Sequence, residues 1–273
     1  MENDVFPRIG SRLVGELTAP DFLRVARRIE ERGAIESAHR IMQNCGQIMR
    51  YAIATGRAER NPVADLREAL PPTQKRNHAA IVDPVELGGL LRAIHSYRGT
   101  IVVQTALKLA PLVFVRPGEL RQAESEEIDL DAALWSIPAS RMKMKQAHLV
   151  PLARQAVDLL RELQPLTGRG RCVFPGGRSV KRPMSEAAVL AALRSMGFDK
   201  STATGHGFRA TARNLLDEAL NFRPDIIEHQ LGHAVRDPNG RAYNRTTHIA
   251  ERTKMMQQWA NYLDKLRIAP MAD

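Results

Sequence analysis

Four short stretches carry side chains able to act on an anion. In "LGHAVRDPNGRAYNRT", Leu231 to Thr246, Tyr243 sits between Arg241 and Arg245 just past a Pro-Asn-Gly turn. The chain has only four tyrosines in 273 residues, and a core tyrosine would have apolar neighbours rather than cations. Tyr243 is therefore either an ordinary surface residue or one held near negative charge. "GHGFRATAR" places His206 and Arg209 three apart at a helix start, hence on one face. Imidazole moves a proton near neutral pH, and guanidinium neutralises phosphate oxygens; alone, H-x-x-R is a common coincidence. Arg116 in "VFVRPGEL" suits a bidentate phosphate clamp or, equally, a helix C-terminal cap or a partner for Glu119. "RMKMKQAHLVPL" reads as a strand pair with Lys143 and Lys145 on one side and Met142 and Met144 on the other. His229 and His233 are four apart, a spacing zinc sites use, but Gly232 ends the helix and no third ligand has a defined spacing. No metal is expected.

The totals narrow the target of these groups. Lys and Arg number 40 against 30 Asp and Glu, a net charge of +10, which favours a polyanionic partner with nucleic acid first. Cys45 and Cys172 lie far apart and suit a reducing cytosol. No run of eighteen apolar residues exists to span a membrane, and "MENDVFPRIG" is neither a signal nor a transit peptide. A phosphodiester resists nucleophiles because it is negatively charged. Two arginines and a histidine offset that charge in the transition state without a metal. A phenol is a weak nucleophile at neutral pH, and flanking cations favour its phenolate. A lysine can protonate the departing 5′ oxygen, and the product is a 3′-phosphotyrosyl enzyme that retains the bond energy.

The elements that must position these groups are mainly helical. Thr18 and Asp21 form a capping-box start for a helix carrying Phe22, Val25, Ala26 and Ile29, ended by Gly33. A second helix, about Ile35 to Thr55, buries Ala38, Cys45, Met49 and Ala52, and Gly56 closes it. Its other face offers Arg40, Gln43, Gln47 and Arg50 to phosphates and base edges, or simply to water. Asn61-Pro62 opens a short third helix, and "LPPTQKRNHAA", Leu70 to Ala80, reads as a linker. Asp83-Pro84 starts a new helix; "TIVVQTALKLAPLV" follows, broken near Pro111, and Pro117 reopens the chain. Residues 126–152 alternate and hold Ile, Val and Trp, predicting a small antiparallel sheet with turns at Asp131-Ala132 and Gln146-Ala147. Four more helices follow: "RQAVDLLREL", "GFRATARNLLDEAL" with Phe208, Ala212, Leu215, Leu216 and Ala219 inward, "PDIIEHQLGH", and the closing "HIAERTKMMQQWANYLDKL".

The blocks "FVRPGELRQAE", "RMKMKQAHLVPL", "GHGFRATAR", "LGHAVRDPNGRAYNR" and "MMQQWANYLD" occur in the order found in tyrosine recombinases. Over nearly its whole length the sequence resembles that family, in particular the integrases of satellite phages and genomic islands. The resemblance implies a mainly α fold with a small antiparallel sheet. A helical core-type DNA-binding domain would occupy residues 1–75 and an α+β catalytic domain residues 76–273. It implies that Arg116 and Arg209 bind the scissile phosphate, His206 acts as acid/base, His233 bonds the phosphate and Tyr243 is the nucleophile. Lys143 would be the general acid, with Lys145 the less favoured choice on the same side; Arg241 and Arg245 would either favour the phenolate or bind DNA. Double-stranded attachment-site DNA is the implied partner, held in a C-shaped clamp by a homo-tetramer. The state off DNA, a monomer among the options, is left open. No cofactor or ATP is implied, and a cytoplasmic, nucleoid-associated location is.

Three features depart from the family pattern. The sequence starts after the arm-site domain and first core-binding helix of such integrases, so arm-site binding is expected to be absent. Ser125 replaces a common tryptophan, with loss of packing beside the hairpin, and Gln146-Ala147 replaces a basic residue and proline, loosening the turn before Lys143. The reading is a site-specific recombinase; the rival is a recombination-deficient DNA-binding remnant acting as decoy or regulator. A helical transcription regulator would need neither Tyr243 nor the arginine pair.

Overall fold

The structure, a computed structural model, describes residues 1–66, 68–72, 79–142, 145–233 and 248–269. The chain forms two compact units, Met1–Asn77 and His78–Asp273. Most of the expected linker, at 73–78, lies outside the described residues.

In the first unit, α1 (Phe6–Ile9) precedes two long helices, α2 (Ala19–Glu31) and α3 (Ile35–Ala54). Asp21 Oδ2 accepts the Thr18 backbone N–H at 2.9 Å and its hydroxyl at 2.7 Å, the expected start of α2. Phe22, Val25, Ala26 and Ile29 pack on Ala38, Met42, Cys45 and Met49. Burial pushes the Cys45 thiol up to about 11, so this sulfur fills core and is unreactive. After Asn61, whose Oδ1 accepts from Val63 N–H at 3.1 Å, the expected short helix is a single 3-10 turn, Ala64–Leu66.

The second unit is built round α5 (Ile101–Val113), which touches α4 (Pro84–Ser96), α6 (Pro117–Arg121), α7 (Arg154–Thr167), α8 (Ala188–Ser195), α9 (Gly207–Glu218) and α11 (Ile249–Ile268). Helix α10 (Pro224–Gln230) packs on α9 and α11. Pro111 does not break α5. It lies in the last turn among buried Leu107, Leu109 and Leu112, and its carbonyl accepts the Trp259 indole N–H at 2.8 Å. That packing offsets the one helical bond a proline removes. Helix α5 ends at Phe114, which is left-handed at φ 36° and buried edge-on against Trp259, centroids 6.2 Å apart. At the far end of α9, Ala219 is exposed rather than inward, because the helix stops at Glu218.

Strands β1 (Ile128–Asp129), β2 (Leu134–Ile137) and β3 (His148–Pro151) form the expected antiparallel sheet, with Trp135 opposite Val150 and Ile137 opposite His148. Trp135, Ile137 and Val150 face the core. The ladder is shorter than the alternation predicted. Ala139–Arg141 is a 3-10 turn, and Lys145 is left-handed at φ 51°, so neither Met142 nor Lys145 belongs to a strand. Lys145 therefore lies on no strand face, and Lys143 lies outside the described residues. Ser125 borders a hollow of about 50 Å³ lined by Ile128, Leu160, Leu163 and Val173. A second sheet, β4 (Pro175–Gly176) with β5 (Ser179–Pro183), and helix α8 were not foreseen.

His148, the first residue of β3, is buried, and its Nε2 donates to Gln230 O at 3.0 Å. Burial, then the Arg252 guanidinium, push its imidazolium down to about 3. The unfolded chain takes up this proton below its ordinary value of 6.5; the native chain does not until near 3. Stability from this site is thus complete above about 6.5 and falls as pH drops toward 3. The urea midpoint of His148→Gln, which keeps a donor for Gln230, should fall less steeply between neutral and mildly acid pH than that of the parent chain; parallel curves would refute this. A second expectation concerns α4 and α11. A Cβ on Gly88 would come within 2.6 Å of Leu266 O. Gly88→Ala should therefore cost about 1–3 kcal/mol despite its better helix propensity, read as a lowered thermal midpoint.

Candidate active site

Helix α6 fixes the first arginine. Arg116 is its N-cap, and Glu119 one turn on accepts both the Arg116 backbone N–H at 2.8 Å and Nη1 at 2.7 Å. Glu119 is buried, so one carboxylate sets both the helix start and the guanidinium's direction. Arg116 Nη2 then reaches Gly232 O at 3.4 Å. Gly232 ends α10 at φ +62°, a left-handed conformation that glycine adopts freely.

Arg209, on the first turn of α9, is only 9% exposed. Its Nη1 donates to Phe114 O at 3.0 Å, and its Nη2 donates to Leu231 O at 2.7 Å and to His233 Nε2 at 3.1 Å. Burial first, and then the nearby Arg116 charge, pull its pKa down to about 10, which leaves it cationic at neutral pH. Among the described residues no carboxylate makes an ion pair with it. Because Arg209 donates to His233 Nε2, the proton of the neutral His233 ring is on Nδ1, which donates to Glu228 Oε2 at 2.5 Å. Burial pushes the Glu228 carboxyl up, but hydrogen bonds from His233 and Arg213 outweigh it and hold the group below the usual carboxylate range.

His206 is the exposed residue preceding α9, three before Arg209 as the spacing required. Neighbouring Gly205 packs on Pro117, where a Cβ would lie 3.0 Å from Cγ. The start of α9 thus abuts the start of α6, beside a cavity of about 270 Å³ lined in part by Pro117, Met184, Gly205 and His206.

The structure therefore gathers Arg116, Arg209 and His233 round the carbonyls of Leu231 and Gly232, with His206 at the adjoining helix start. Lys143, Arg241, Tyr243 and Arg245 lie outside the described residues. Their flanks do bear on the site. Buried Met142, next to Lys143, would meet a Cβ on Gly232 at 3.3 Å. Residues 234–247 leave from His233 and return at His248, and Arg252 Nε donates to Gln230 Oε1 at 2.9 Å across those two ends. Arg40, Gln43, Gln47 and Arg50 are all exposed on α3 in the first unit. Glu119 was foreseen only as a partner for Arg116; Glu228, His148 and Arg252 were missed, and no local sequence signal marks them. Among the described residues no group of three His, Cys, Asp or Glu side chains could hold a metal, and no helix is long and apolar enough to cross a membrane.

Comparison with known proteins shows the family and the fold. Residues 1–69 match the phage integrase central domain and residues 81–248 the phage integrase family. The chain is 39% identical to the integrase of enterobacteria phage P4 over 98% of its own length and 64% of that protein. It is 38% identical to the prophage integrase IntZ of Escherichia coli K12 over 97% of its length and 65% of that protein. It thus spans just under two thirds of these relatives. Among solved structures, lambda integrase residues 75–356, a dimer bound to a COC′ core site, superposes with a TM-score of 0.66 at 18% identity, covering 85% of this chain and 84% of that one. The Tn1549 transposon integrase in complex with a circular intermediate DNA gives 0.62 at 13%, covering 92% and 89%. The chain belongs to the phage integrase family of tyrosine recombinases.

Proposed function

We propose that this chain is a site-specific DNA recombinase that cuts and rejoins duplex DNA for integration or excision of a mobile element. The observation that carries the reading is the guanidinium pair. Arg116 and Arg209 point at successive carbonyls, and Arg209 has no described carboxylate to neutralise it. Such a pocket favours a phosphate over any neutral ligand. Family membership supports the same target: the lambda and Tn1549 integrases that share this fold are described on DNA.

In this reading Arg116 and Arg209 hold the non-bridging oxygens of the scissile phosphate, and His233 adds a bond to it. The Tyr243 phenol gives its proton to His206 as its oxygen forms the new P–O bond. The P–O5′ bond breaks, and the departing oxygen takes a proton from Lys143. The reverse attack by a 5′-hydroxyl rejoins the strand and frees the tyrosine. No step calls on a metal or a nucleotide. The first unit would track the duplex with Arg40, Gln43, Gln47 and Arg50, with Arg241 and Arg245 adding phosphate contacts near the tyrosine. Four copies would assemble on two DNA sites, in the bacterial cytoplasm at the nucleoid. A lambda integrase tetramer is described on a Holliday junction, which supports that assembly.

A nicked duplex carrying the attachment core, on which rejoining is impossible, should trap a covalent protein–DNA adduct. Tyr243→Phe should abolish the adduct while binding persists. Arg209→Lys keeps the charge but loses the fork, and should slow adduct formation by about 10²–10³-fold. Adduct formation by Tyr243→Phe at the parent rate would overturn the assignment.

A further inference from the structure

The β4–β5 ribbon has no part in the site just described, and its composition is not explained by folding. A strand with one face on a core alternates buried and exposed residues. In β5 no residue is buried; Val180 is 73% exposed, and Lys181 and Arg182 are exposed as well. Gly177 and Arg178 form the exposed turn. Between Glu162 and Glu186 the sequence has no acidic residue but five cations: Arg169, Arg171, Arg178, Lys181 and Arg182. Arg171 pairs with Glu124 at 3.8 Å, whereas Arg178, Lys181 and Arg182 form no ion pair among the described residues. Exposed cations clustered on a two-stranded ribbon, with no acidic residue between Glu162 and Glu186, make a surface complementary to an anionic partner.

The base of the ribbon is rigid. Phe174 and Met184 are buried, Met184 N–H donates to Phe174 O at 2.8 Å, and Arg121 Nη1 donates to Met184 O at 3.2 Å. Met184 also lines the cavity that Pro117, Gly205 and His206 share. The ribbon therefore springs from the wall of the candidate active site. Successive side chains of a strand point to opposite faces, so Lys181 and Arg182 make both faces cationic. A two-stranded ribbon of this kind fits the major groove of a duplex and extends about 16 Å over five residues.

We infer that the β4–β5 ribbon is a DNA-contacting element, in which Arg178, Lys181 and Arg182 grip backbone phosphates flanking the scissile one. This rests on the proposed reading that the chain handles DNA. Phosphate contacts are independent of sequence, so a labelled duplex of random sequence suffices as probe, titrated with Tyr243→Phe protein across a potassium chloride series. Each phosphate contact contributes about 0.9 to the slope of log affinity against log salt. Lys181→Ala/Arg182→Ala should lower the slope by about 1.8, and Arg178→Ala alone by about 0.9. The matched pair Lys254→Ala/Lys265→Ala, exposed on α11, should change it far less. Thermal midpoints should stay unchanged, since all these side chains are exposed. An unchanged slope in the ribbon variants, with parental binding intact, overturns the inference and leaves the ribbon to an acidic protein surface. An equal drop in the control pair overturns it too, as a general charge effect. Absence of any salt-dependent binding by the Tyr243→Phe protein overturns both this inference and the reading beneath it.

Discussion

The site depends on Arg209, a buried cation that forms no ion pair among the described residues. Arg209 is held chiefly by backbone carbonyls, and those carbonyls sit at helix C-termini: Phe114 follows α5 and Leu231 follows α10. Arg116 reaches Gly232, the next residue along. A helix C-terminus carries partial negative charge and unsatisfied carbonyls, so it can fix a guanidinium without neutralising it. A carboxylate in the same place would hold the arginine more firmly and cancel the charge an anion must feel. Burying a guanidinium on dipoles costs the fold several kcal/mol of desolvation that an ion pair would better offset. The consequence is visible in Arg209, whose pKa is drawn down to about 10 by burial and by Arg116. Under the proposed function, a phosphate bound here would offset the mutual repulsion of Arg116 and Arg209.

That arrangement is underwritten from elsewhere in the second unit. Phe114 presents its carbonyl from a left-handed backbone that a bulky residue adopts only at a cost of about 1–3 kcal/mol. Its ring is trapped against Trp259, and Trp259 is tied in turn to Pro111 O. The closing helix α11 thus holds the strained residue through one indole. Residues 230–232 act as a junction: Gln230 takes bonds from His148 of β3 and Arg252 of α11, Leu231 from α9, Gly232 from α6. Four elements converge on three successive residues, so small shifts in any of them reach the guanidinium pair.

The helices and the H-x-x-R pair were legible because both are local. Apolar spacing marks the buried face, Thr18, Asp83 and Asn61 announce starts, Gly33, Gly56 and Gly232 announce stops, and residues three apart on a helix must share a face. What stayed hidden was non-local. Pro111 reads as a breaker until Trp259 is known to cover its carbonyl. Glu127 pairs with Arg141 fourteen residues on, a contact no local pattern predicts. The acceptors for Arg209 are main-chain oxygens, which no residue type advertises. The β4–β5 ribbon gave no apolar alternation to detect, because neither of its faces packs.

His233 shows how the pieces are coupled. With Nδ1–H committed to Glu228, its Nε2 lone pair accepts from Arg209 and cannot donate to an anion. Under the proposed chemistry, a phosphate that draws Arg209 Nη2 toward itself removes the donor from Nε2. A proton placed there makes an imidazolium, which Glu228, held ionised by His233 and Arg213, is positioned to stabilise. Nε2 then becomes a donor facing the same phosphate. Under the proposed chemistry, capture of the anion by Arg209 frees Nε2, and a proton taken from solvent there would turn the neighbour from acceptor to donor; Glu228, which would balance that proton, binds the far nitrogen of the same imidazole.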